Sequence, residues 1–325
     1  MTLSSIQKLI KNDLLDLESQ IKFRSKTNVE LINELSEHII SGGGKRLRPI
    51  VLFLSAHSIK NDKKIIDAAT VVEFIHAATL LHDDVVDMSQ FRHSKETANT
   101  IWGNKGAVLV GDFLYSRAFE IIVEINNPIV YETLANTTNV IAQGEVLQLM
   151  NIDNISMTED LYMEIIYRKT AKLFEASAKI GSVLAGHENI HIDNLAKFGL
   201  HFGMAYQLRN DYLDYFGDST NTGKNLAEDL SEGKATLPII HSLAKANKTD
   251  KEIIRSAFMS KDISKKGEII SILTKTNSNN YILKIIDDET NLAIKYLTKM
   301  SNNKFIEGLK ELALFCKSRS RWISN

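Results

Sequence analysis

The chain has 325 residues, of which 44% are hydrophobic, and it contains 3 prolines and 16 glycines. This length allows one large hydrophobic core or two domains. The formal net charge of −1 gives no general attraction to nucleic acid, and the single cysteine, Cys316, excludes an internal disulfide and is typical of a reducing compartment.

The N-terminal segment, residues 6–21, places its apolar residues along one stripe of a helix. Its acidic residues Asp13, Asp16 and Glu18 argue against a signal or transit peptide. The most apolar run, residues 49–59, is too short to cross a bilayer. We therefore expect a soluble, cytoplasmic protein that has no transmembrane segment and does not bind nucleic acid.

Helical periodicity continues through most of the chain, and its composition favours helix over strand. Segments 67–87 and 194–214 are apolar on most faces, which predicts two central helices. We predict an all-α, single-domain helical bundle over residues 1–325, with ordinary amphipathic helices over residues 246–325. Breaks between helices are predicted at residues 42–44, 126–128, 151–158, 185–193, 217–225 and 276–280.

The sequence LLHDDVVD, residues 80–87, places three aspartates at the end of the first central helix. Asp83 and Asp87 are four residues apart, so they share one helix face, and like charges at that spacing repel each other. The repulsion grows where the local dielectric is low. An isolated DDxxD is more often a solvated helix end, so this pattern alone does not indicate a site.

A second cluster, Asn210, Asp211 and Asp214, ends the other central helix, and Asn210 and Asp214 are again four residues apart. Two facing sets of carboxylates in a water-poor cavity need cations. Oxygen ligands without cysteine or paired histidine favour Mg²⁺, which commonly completes its coordination with water and substrate phosphates. The two clusters therefore predict a phosphorylated ligand that bridges them.

Basic residues able to hold a phosphate stand near both clusters. The sequence GGGKRLRP, residues 42–49, supplies Lys45, Arg46 and Arg48 after three glycines. Taken alone, a basic helix start is more often simply solvated. The other basic residues near the clusters are Arg92, Lys95, Lys169 and Lys224.

Six motifs in this order resemble the trans-isoprenyl diphosphate synthases, the polyprenyl synthetase family. They are GGGKRLRP, LLHDDVVD with a following arginine, GEVLQL, YRKTAKLF, QLRNDYLDY and GKNLAEDLSEGKATLP, within about residues 32–242. The resemblance implies an isoprenoid-synthase-type helical fold with a central cavity, a homodimer, and three Mg²⁺ ions bound with the diphosphate. It implies repeated head-to-tail condensation of isopentenyl diphosphate with an allylic diphosphate, from farnesyl diphosphate to a long all-trans product, octaprenyl, for quinone side chains.

The resemblance also assigns roles to residues that match the family's motifs. The implied metal ligands are Asp83, Asp87, Asn210, Asp211 and Asp214, with Asp84 beside the first pair. The implied diphosphate ligands are Arg92 and Lys224 for the allylic substrate, and Lys45, Arg48, His76 and His93 for isopentenyl diphosphate. The residues implied to lie along the developing allylic cation are Lys169, Thr170 and Gln207. The residues implied to be catalytic are Asp83, Asp84, Asp87, Arg92, Lys169, Asp211 and Lys224.

Three positions depart from the family pattern. Asn210 stands where the family usually has aspartate, and its uncharged amide oxygen predicts weaker metal binding rather than lost activity. His93 stands where the family has the second arginine of a pair, and a neutral histidine binds a diphosphate less well near pH 7. Ser94 replaces the usual glycine. These departures leave open a weakly active subunit of a heteromeric synthase.

Product length is predicted from two small residues, Ala78 and Thr79, which lie about one helical turn before Asp83. Short-chain family members often carry a bulky aromatic residue there, so small residues favour a long product. Small residues also simply suit a crowded helix, so a C15–C20 product stays open. Deeper candidates for the residue that stops growth are Val72, Ile75, Leu147 and Met150.

Two other protein classes share single features with the sequence. Glu73-x-x-His76 and Glu188-x-x-His191 have the spacing of di-iron helical bundles, but that site would leave both aspartate clusters unexplained. Terpene cyclases share the metal-triggered ionisation of a diphosphate. The GGGKRLRP motif, which indicates a second diphosphate substrate, argues against them.

Overall fold

The computed structural model describes residues 3–42, 44–57, 64–92, 95–217 and 227–317. The chain groups into two compact units. The first unit comprises residues 1–138, 176–196 and 300–309, and the second comprises residues 139–175, 197–299 and 310–325. The prediction of one domain over residues 1–325 stays a prediction.

Helices make up most of the described chain, which confirms the all-α prediction. The first helices are α1 (Leu3–Leu9), α2 (Lys11–Ser25), α3 (Glu30–Ile40), α4 (Leu47–His57) and α5 (Lys64–Val86). The short antiparallel strands β1 (Phe91–Arg92) and β2 (Lys95–Glu96) precede α6 (Ala98–Ile125), α7 (Pro128–Leu149) and α8 (Glu159–Ile166). A π-helix (Tyr167–Ala171) leads into α9 (Lys172–Ala185), and α10 (Asn189–Phe216) follows. The remaining helices are α11 (Glu228–Ser231), α12 (Leu237–Lys245), α13 (Lys248–Ser260), α14 (Lys266–Lys275), α15 (Ser278–Leu297) and α16 (Lys304–Cys316).

Helix α5 forms the core of the first unit and packs along α6. It is apolar on most faces because its residues are covered on all sides, as the full burial of Phe74, Ala78 and Leu81 shows. Among the described residues, α5 is the one helix long and apolar enough to cross a bilayer. However, 67% of its most apolar window is buried inside the protein, as is typical of a core helix.

Several element boundaries differ from the sequence predictions. Residues 6–21 do not form one helix, because the backbone leaves helical geometry at Ile10 (φ −122°, ψ 27°) and that bend keeps Ile10 buried. The predicted breaks at residues 185–193 and 276–280 are shorter, since α10 begins at Asn189 and α15 at Ser278. Strands β1 and β2 have two residues each, too few to show an alternating pattern.

The second unit contains an aromatic core and an irregular helical turn. Phe202 packs edge-on against Phe174, with ring centroids 5.1 Å apart, and stacks on Phe198 at 5.9 Å. All three rings are fully buried. The π-helix Tyr167–Ala171 interrupts the helix that runs from α8 into α9, and such π-turns are frequent at functional sites.

Two glycines bring neighbouring helices close to this π-helix. A Cβ atom on Gly144 of α7 would lie 2.7 Å from the Arg168 Cβ, and a Cβ on Gly203 of α10 would lie 2.6 Å from the Ala171 Cα. Both distances are shorter than real side chains allow. The glycine in GEVLQL is therefore required by close packing against the turn that carries Lys169 and Thr170.

Candidate active site

The first acidic cluster, Asp83, Asp84 and Asp87, lies at the C-terminal end of α5. The Asp87 N–H donates to the Asp83 carbonyl at 2.8 Å, so the helical turn continues through the cluster. Asp83 and Asp87 are partly exposed, whereas Asp84 is buried. Carboxylates at a helix C-terminus oppose the helix dipole as well as each other, and a nearby cation would relieve both repulsions.

The buried Asp84 carboxylate holds the arginine that follows the cluster. Arg92 Nε and Nη2 donate to Asp84 Oδ1 at 3.0 and 2.7 Å. Burial raises the pKa of Asp84, and the bonds from Arg92 partly oppose that rise. Asp84 Oδ2 is buried without a hydrogen-bond partner, which leaves an acceptor beside the two outer carboxylates. Asp84 thus fixes Arg92 on β1 next to Asp83 and Asp87.

Two of the residues predicted to bind the second diphosphate, Arg48 at the start of α4 and His76 on α5, are in contact. Arg48 Nη1 lies 3.0 Å from His76 Nε2. Burial, and then the positive charges of Arg48 and Arg92, lower the pKa of His76 well below its ordinary value. His76 is therefore neutral near pH 7, its Nε2 accepts from Arg48, and its Nδ1 carries the proton. Lys45 and Arg48 are both partly exposed.

The second acidic cluster, Asn210, Asp211 and Asp214, repeats this arrangement at the end of α10. Asn210 and Asp214 are partly exposed, and Asp211 is buried. Tyr162 Oη donates to Asp211 Oδ2 at 2.5 Å, and Gln207 Nε2 donates to Asp211 Oδ1 at 2.7 Å. Burial raises the pKa of Asp211 to about 8. Each cluster thus has two partly exposed residues four positions apart, the outer pair, and one buried inner carboxyl. The inner carboxyl accepts hydrogen bonds from other side chains of the protein.

Tyr162 and Asp229 also belong to this group, although no sequence motif indicated either residue. Thr158 caps α8 by accepting from the Leu161 N–H at 3.3 Å, and this helix presents Tyr162 to Asp211. Burial and the nearby Asp214 raise the pKa of Asp229 well above its ordinary value. Asp229 Oδ2 is buried without a hydrogen-bond partner. Asp229 lies in the motif GKNLAEDLSEGKATLP. Because this motif also contains lysines and other acidic residues, nothing in the sequence indicated that the Asp229 carboxyl is buried.

Asp214 accepts the N–H groups of Glu228 and Asp229 at 3.1 and 3.2 Å. Burial nevertheless raises the pKa of Asp214 to about 7, and these two bonds oppose the rise. Asp211, Asp214 and Asp229 therefore form an acidic group whose ionisation near pH 7 is opposed by burial and mutual repulsion, which the charge of Lys234 only partly offsets at Asp211 and Asp229.

We predict that the metal-free protein loses stability as pH rises from about 4 to about 8. The folded-state pKa values of Asp211 (about 8) and Asp214 (about 7) lie above those of unfolded aspartate, so the folded state binds more protons across this range. The free energy of unfolding must then fall as pH rises. Thermal unfolding with EDTA across this range measures the effect, and added Mg²⁺ should reduce it. An equal pH slope in Asp214→Asn would contradict the prediction.

The residues predicted along the allylic cation lie together in the second unit. Thr170 Oγ1 donates to Gln207 Oε1 at 3.1 Å, which links the π-helix to the hydrogen bonds of Asp211. Lys169 Nζ lies 2.6 Å from Glu145 Oε2, in the GEVLQL motif. The π-turn thus places Lys169 and Thr170 beside α7 and α10, respectively.

The remaining predicted site residues are either outside the described part of the chain or differ in how exposed they are. His93 and Lys224 lie outside the described residues. Ala78 is buried, Thr79 is partly exposed, and Met150, one of the candidates for stopping chain growth, is 76% exposed.

Within the described ranges, no three His, Cys, Asp or Glu side chains come together as a complete metal site. The arrangement suits an ion such as Mg²⁺, whose coordination a phosphorylated substrate and water complete.

The di-iron interpretation fails on its own residues. Glu73 pairs with Arg46 at 2.6 Å, and His76 contacts Arg48. Glu188 is exposed just before α10. Glu73 and His76 therefore bind arginine side chains in this fold and not a metal ion.

The chain is all-α, and two of its long helices, α5 and α10, each end in an acidic cluster. These features are those of the isoprenoid-synthase fold. The solved polyprenyl synthase of Caulobacter crescentus CB15, complexed with calcium and isoprenyl diphosphate, matches with a TM-score of 0.93 and 38% identity over 99% of this chain and 98% of its own. A decaprenyl diphosphate synthase structure from Rhodobacter capsulatus matches with a TM-score of 0.92 and 34% identity over 98% of this chain and 99% of its own.

The sequence comparisons agree with the fold. The family model described as Polyprenyl synthetase matches residues 29–275. An octaprenyl diphosphate synthase of Escherichia coli (strain K12) is 38% identical over 323 residues, covering 99% of this chain and 100% of that protein. The chain belongs to the polyprenyl synthetase family, which confirms the resemblance seen in its motifs.

Proposed function

We propose that the chain is a Mg²⁺-dependent trans-prenyltransferase. It extends an allylic diphosphate, farnesyl diphosphate, by repeated head-to-tail condensation with isopentenyl diphosphate. The product is a long all-trans polyprenyl diphosphate, octaprenyl, which supplies quinone side chains. The observation that carries this proposal is the shared design of the two acidic helix ends, α5 and α10. The octaprenyl and decaprenyl synthases among the relatives support a long product.

The donor chemistry fits a divalent metal at both clusters. Asp83 and Asp87 offer partly exposed carboxylates, and Asp84 adds an unpartnered buried oxygen. In the second cluster Asn210 and Asp214 are the outer ligands, and Asp211 keeps free lone pairs beyond its two hydrogen bonds. We propose that these residues hold three Mg²⁺ ions together with the diphosphate. Bound metal would neutralise the diphosphate and make it a better leaving group.

The chain's own residues carry out the rest of the reaction. Arg92 and Lys224 hold the allylic diphosphate while its C–O bond breaks and the electron pair leaves with the phosphate oxygen. Lys169, Thr170 and Gln207 line the carbon that becomes positive, where Thr170 and Gln207 present oxygen dipoles. The structure supports this role by fixing Thr170 and Gln207 against each other.

The second substrate is held by the basic group of the first unit. Lys45, Arg48 and His76 bind the diphosphate of isopentenyl diphosphate, with His93 as a weaker fourth contact. The double bond of isopentenyl diphosphate attacks the allylic carbon, and the new cation loses a proton to the departing diphosphate. The product is an allylic diphosphate one isoprene unit longer, so it can react again.

A homodimer is the proposed assembly. Helix α6 exposes Leu109, Phe119 and Val123, with 67%, 46% and 70% of each residue accessible. Their spacing of ten and four residues places them along one stripe of the helix. A second copy that covers this stripe would remove apolar surface from water. We also propose a cytoplasmic location, which the single cysteine of the chain, typical of a reducing compartment, supports.

Asn210 should weaken metal binding without abolishing activity. We predict that Asn210→Asp lowers the Mg²⁺ concentration for half-maximal activity on the order of tenfold, because ligand charge sets the affinity of hard-cation sites. A Mg²⁺ titration of the initial rate measures this change, and the exposed Asn12→Asp serves as the control. An unchanged titration midpoint would remove Asn210 from the metal site.

A product-length assay tests the proposed function. Purified protein is incubated with Mg²⁺, farnesyl diphosphate and labelled isopentenyl diphosphate, and the dephosphorylated products are separated by length. A ladder that ends near C40 supports the octaprenyl proposal, and a stop at C15–C20 supports the shorter-chain alternative. No incorporation by wild type, with recovery in Asn210→Asp combined with His93→Arg, supports the weakly active subunit instead.

A further inference from the structure

Arg46 is the middle basic residue of GGGKRLRP, and the sequence gives it the same apparent role as Lys45 and Arg48. The structure turns its guanidinium inward. Arg46 Nε donates to Glu18 Oε1 at 2.8 Å, Nη1 donates to Glu73 Oε2 at 2.6 Å, and Nη2 donates to the Ile40 carbonyl at 3.0 Å. Its side chain is only 15% exposed.

These three partners lie on three different helices. Glu18 is on α2, Ile40 is the last residue of α3, and Glu73 lies in the middle of α5. A planar guanidinium can serve all three directions at once, whereas a lysine ammonium has no such fork. Arg46 therefore joins α2, α3 and α5 at the point where the chain turns into α4.

The backbone of Arg46 also makes that turn. Its φ is +52°, in the left-handed region that residues other than glycine seldom adopt. The Ile50 N–H donates to the Arg46 carbonyl at 2.9 Å, which starts the first turn of α4. Lys45 precedes this turn and Arg48 follows it, so the conformation of Arg46 sets the direction of both side chains.

Two parallel contacts connect this turn to α5. Glu73 and His76 are three residues apart and share a helix face. Glu73 holds Arg46 at 2.6 Å, and His76 holds Arg48 at 3.0 Å. The Glu-x-x-His spacing that suggested a metal site is used here to fix the basic turn against the core helix.

We propose that Arg46 is a positioning residue and not a phosphate ligand: with Glu18 and Glu73, it holds the turn so that Lys45 and Arg48 face the diphosphate of isopentenyl diphosphate. This inference rests on the proposed function. It assigns Arg46 to one substrate only, because the allylic diphosphate is bound by other residues.

The test compares Arg46→Lys and Glu73→Gln with wild type. Each variant should raise the KM for isopentenyl diphosphate by about tenfold, because misplacing a cation weakens a charge-assisted hydrogen bond. The KM for farnesyl diphosphate and kcat should stay within about twofold of wild type. Calorimetric binding of isopentenyl diphosphate should weaken by the same factor as the KM rises.

Arg24→Lys is the matched control. Arg24 lies on α2 of the same unit and donates to Glu124 through both terminal nitrogens, but it is not part of the basic turn. It should destabilise the fold without changing either KM. Equal loss of affinity for both substrates in Arg46→Lys, or no change in either, would overturn the proposal. If Arg46→Lys does not fold, Glu18→Gln gives the same comparison with a milder change.

The outcome separates this inference from the proposed function. Wild type that neither binds isopentenyl diphosphate nor condenses it would remove the function itself. If wild type condenses both substrates but Arg46→Lys leaves the KM for isopentenyl diphosphate unchanged, only the role of Arg46 is excluded.

Discussion

Replacing Asp83 or Asp87 with asparagine should lower kcat by about 10²- to 10³-fold or more, which is the usual loss when one preorganised group that stabilises developing charge is removed. Both side chains are partly exposed at the end of α5 and are spaced four residues apart. The amide keeps the size of the carboxylate but removes the charge that binds the metal. Initial rates at saturating Mg²⁺ and substrates measure the loss.

Asp16→Asn is the control for this series, since Asp16 is exposed on α2 of the same unit. It should leave kcat unchanged. Asp84→Asn should act differently from its neighbours, because Asp84 is buried and holds Arg92. Its main effect should be a higher KM for the allylic diphosphate. Near-normal kcat in both Asp83→Asn and Asp87→Asn would exclude this cluster from catalysis.

Replacing Ala78 with phenylalanine should shorten the main product to C15–C20. Ala78 lies on α5 about one turn before Asp83, where the growing chain is proposed to pass. The ring of phenylalanine would occupy the volume that later isoprene units need. Product separation by chain length measures the shift, and total incorporation of labelled isopentenyl diphosphate reports whether the enzyme still turns over.

Ala77→Phe controls for simple overpacking, since Ala77 is also buried on α5 but points about 100° around the helix. Both variants should lose about 1–3 kcal/mol of stability, the usual cost of adding a large side chain to a packed core. Only Ala78→Phe should shorten the product. Long products from a folded Ala78→Phe variant would contradict the assigned path.

The central helices and the acidic clusters could be predicted because their signals are local. Apolar runs mark α5 and α10, and the spacing of Asp83 with Asp87 follows directly from helix geometry. The motif order then identified the family. The bend at Ile10 and the two-residue strands were missed, because neither leaves a periodic pattern.

The inner partners of the site could not be predicted because they join residues far apart in the chain. Tyr162 and Asp211 are 49 residues apart, and Arg46 and Glu73 are 27 apart. No local pattern shows which acidic residue of each cluster is buried. The sequence likewise could not show that Arg46 differs from Lys45 and Arg48, since burial depends on what α2 and α5 place around it.

The most direct test of the metal-bound diphosphate is calorimetric binding of farnesyl thiolodiphosphate, an unreactive allylic substrate analogue. We expect binding by wild type with Mg²⁺ and none with EDTA. Binding should be strongly weakened in Asp83→Asn and Asp87→Asn and unchanged in Asp16→Asn. Equal binding with and without Mg²⁺, or full binding by the Asp83 and Asp87 variants, would contradict the account that these two carboxylates hold the diphosphate through metal.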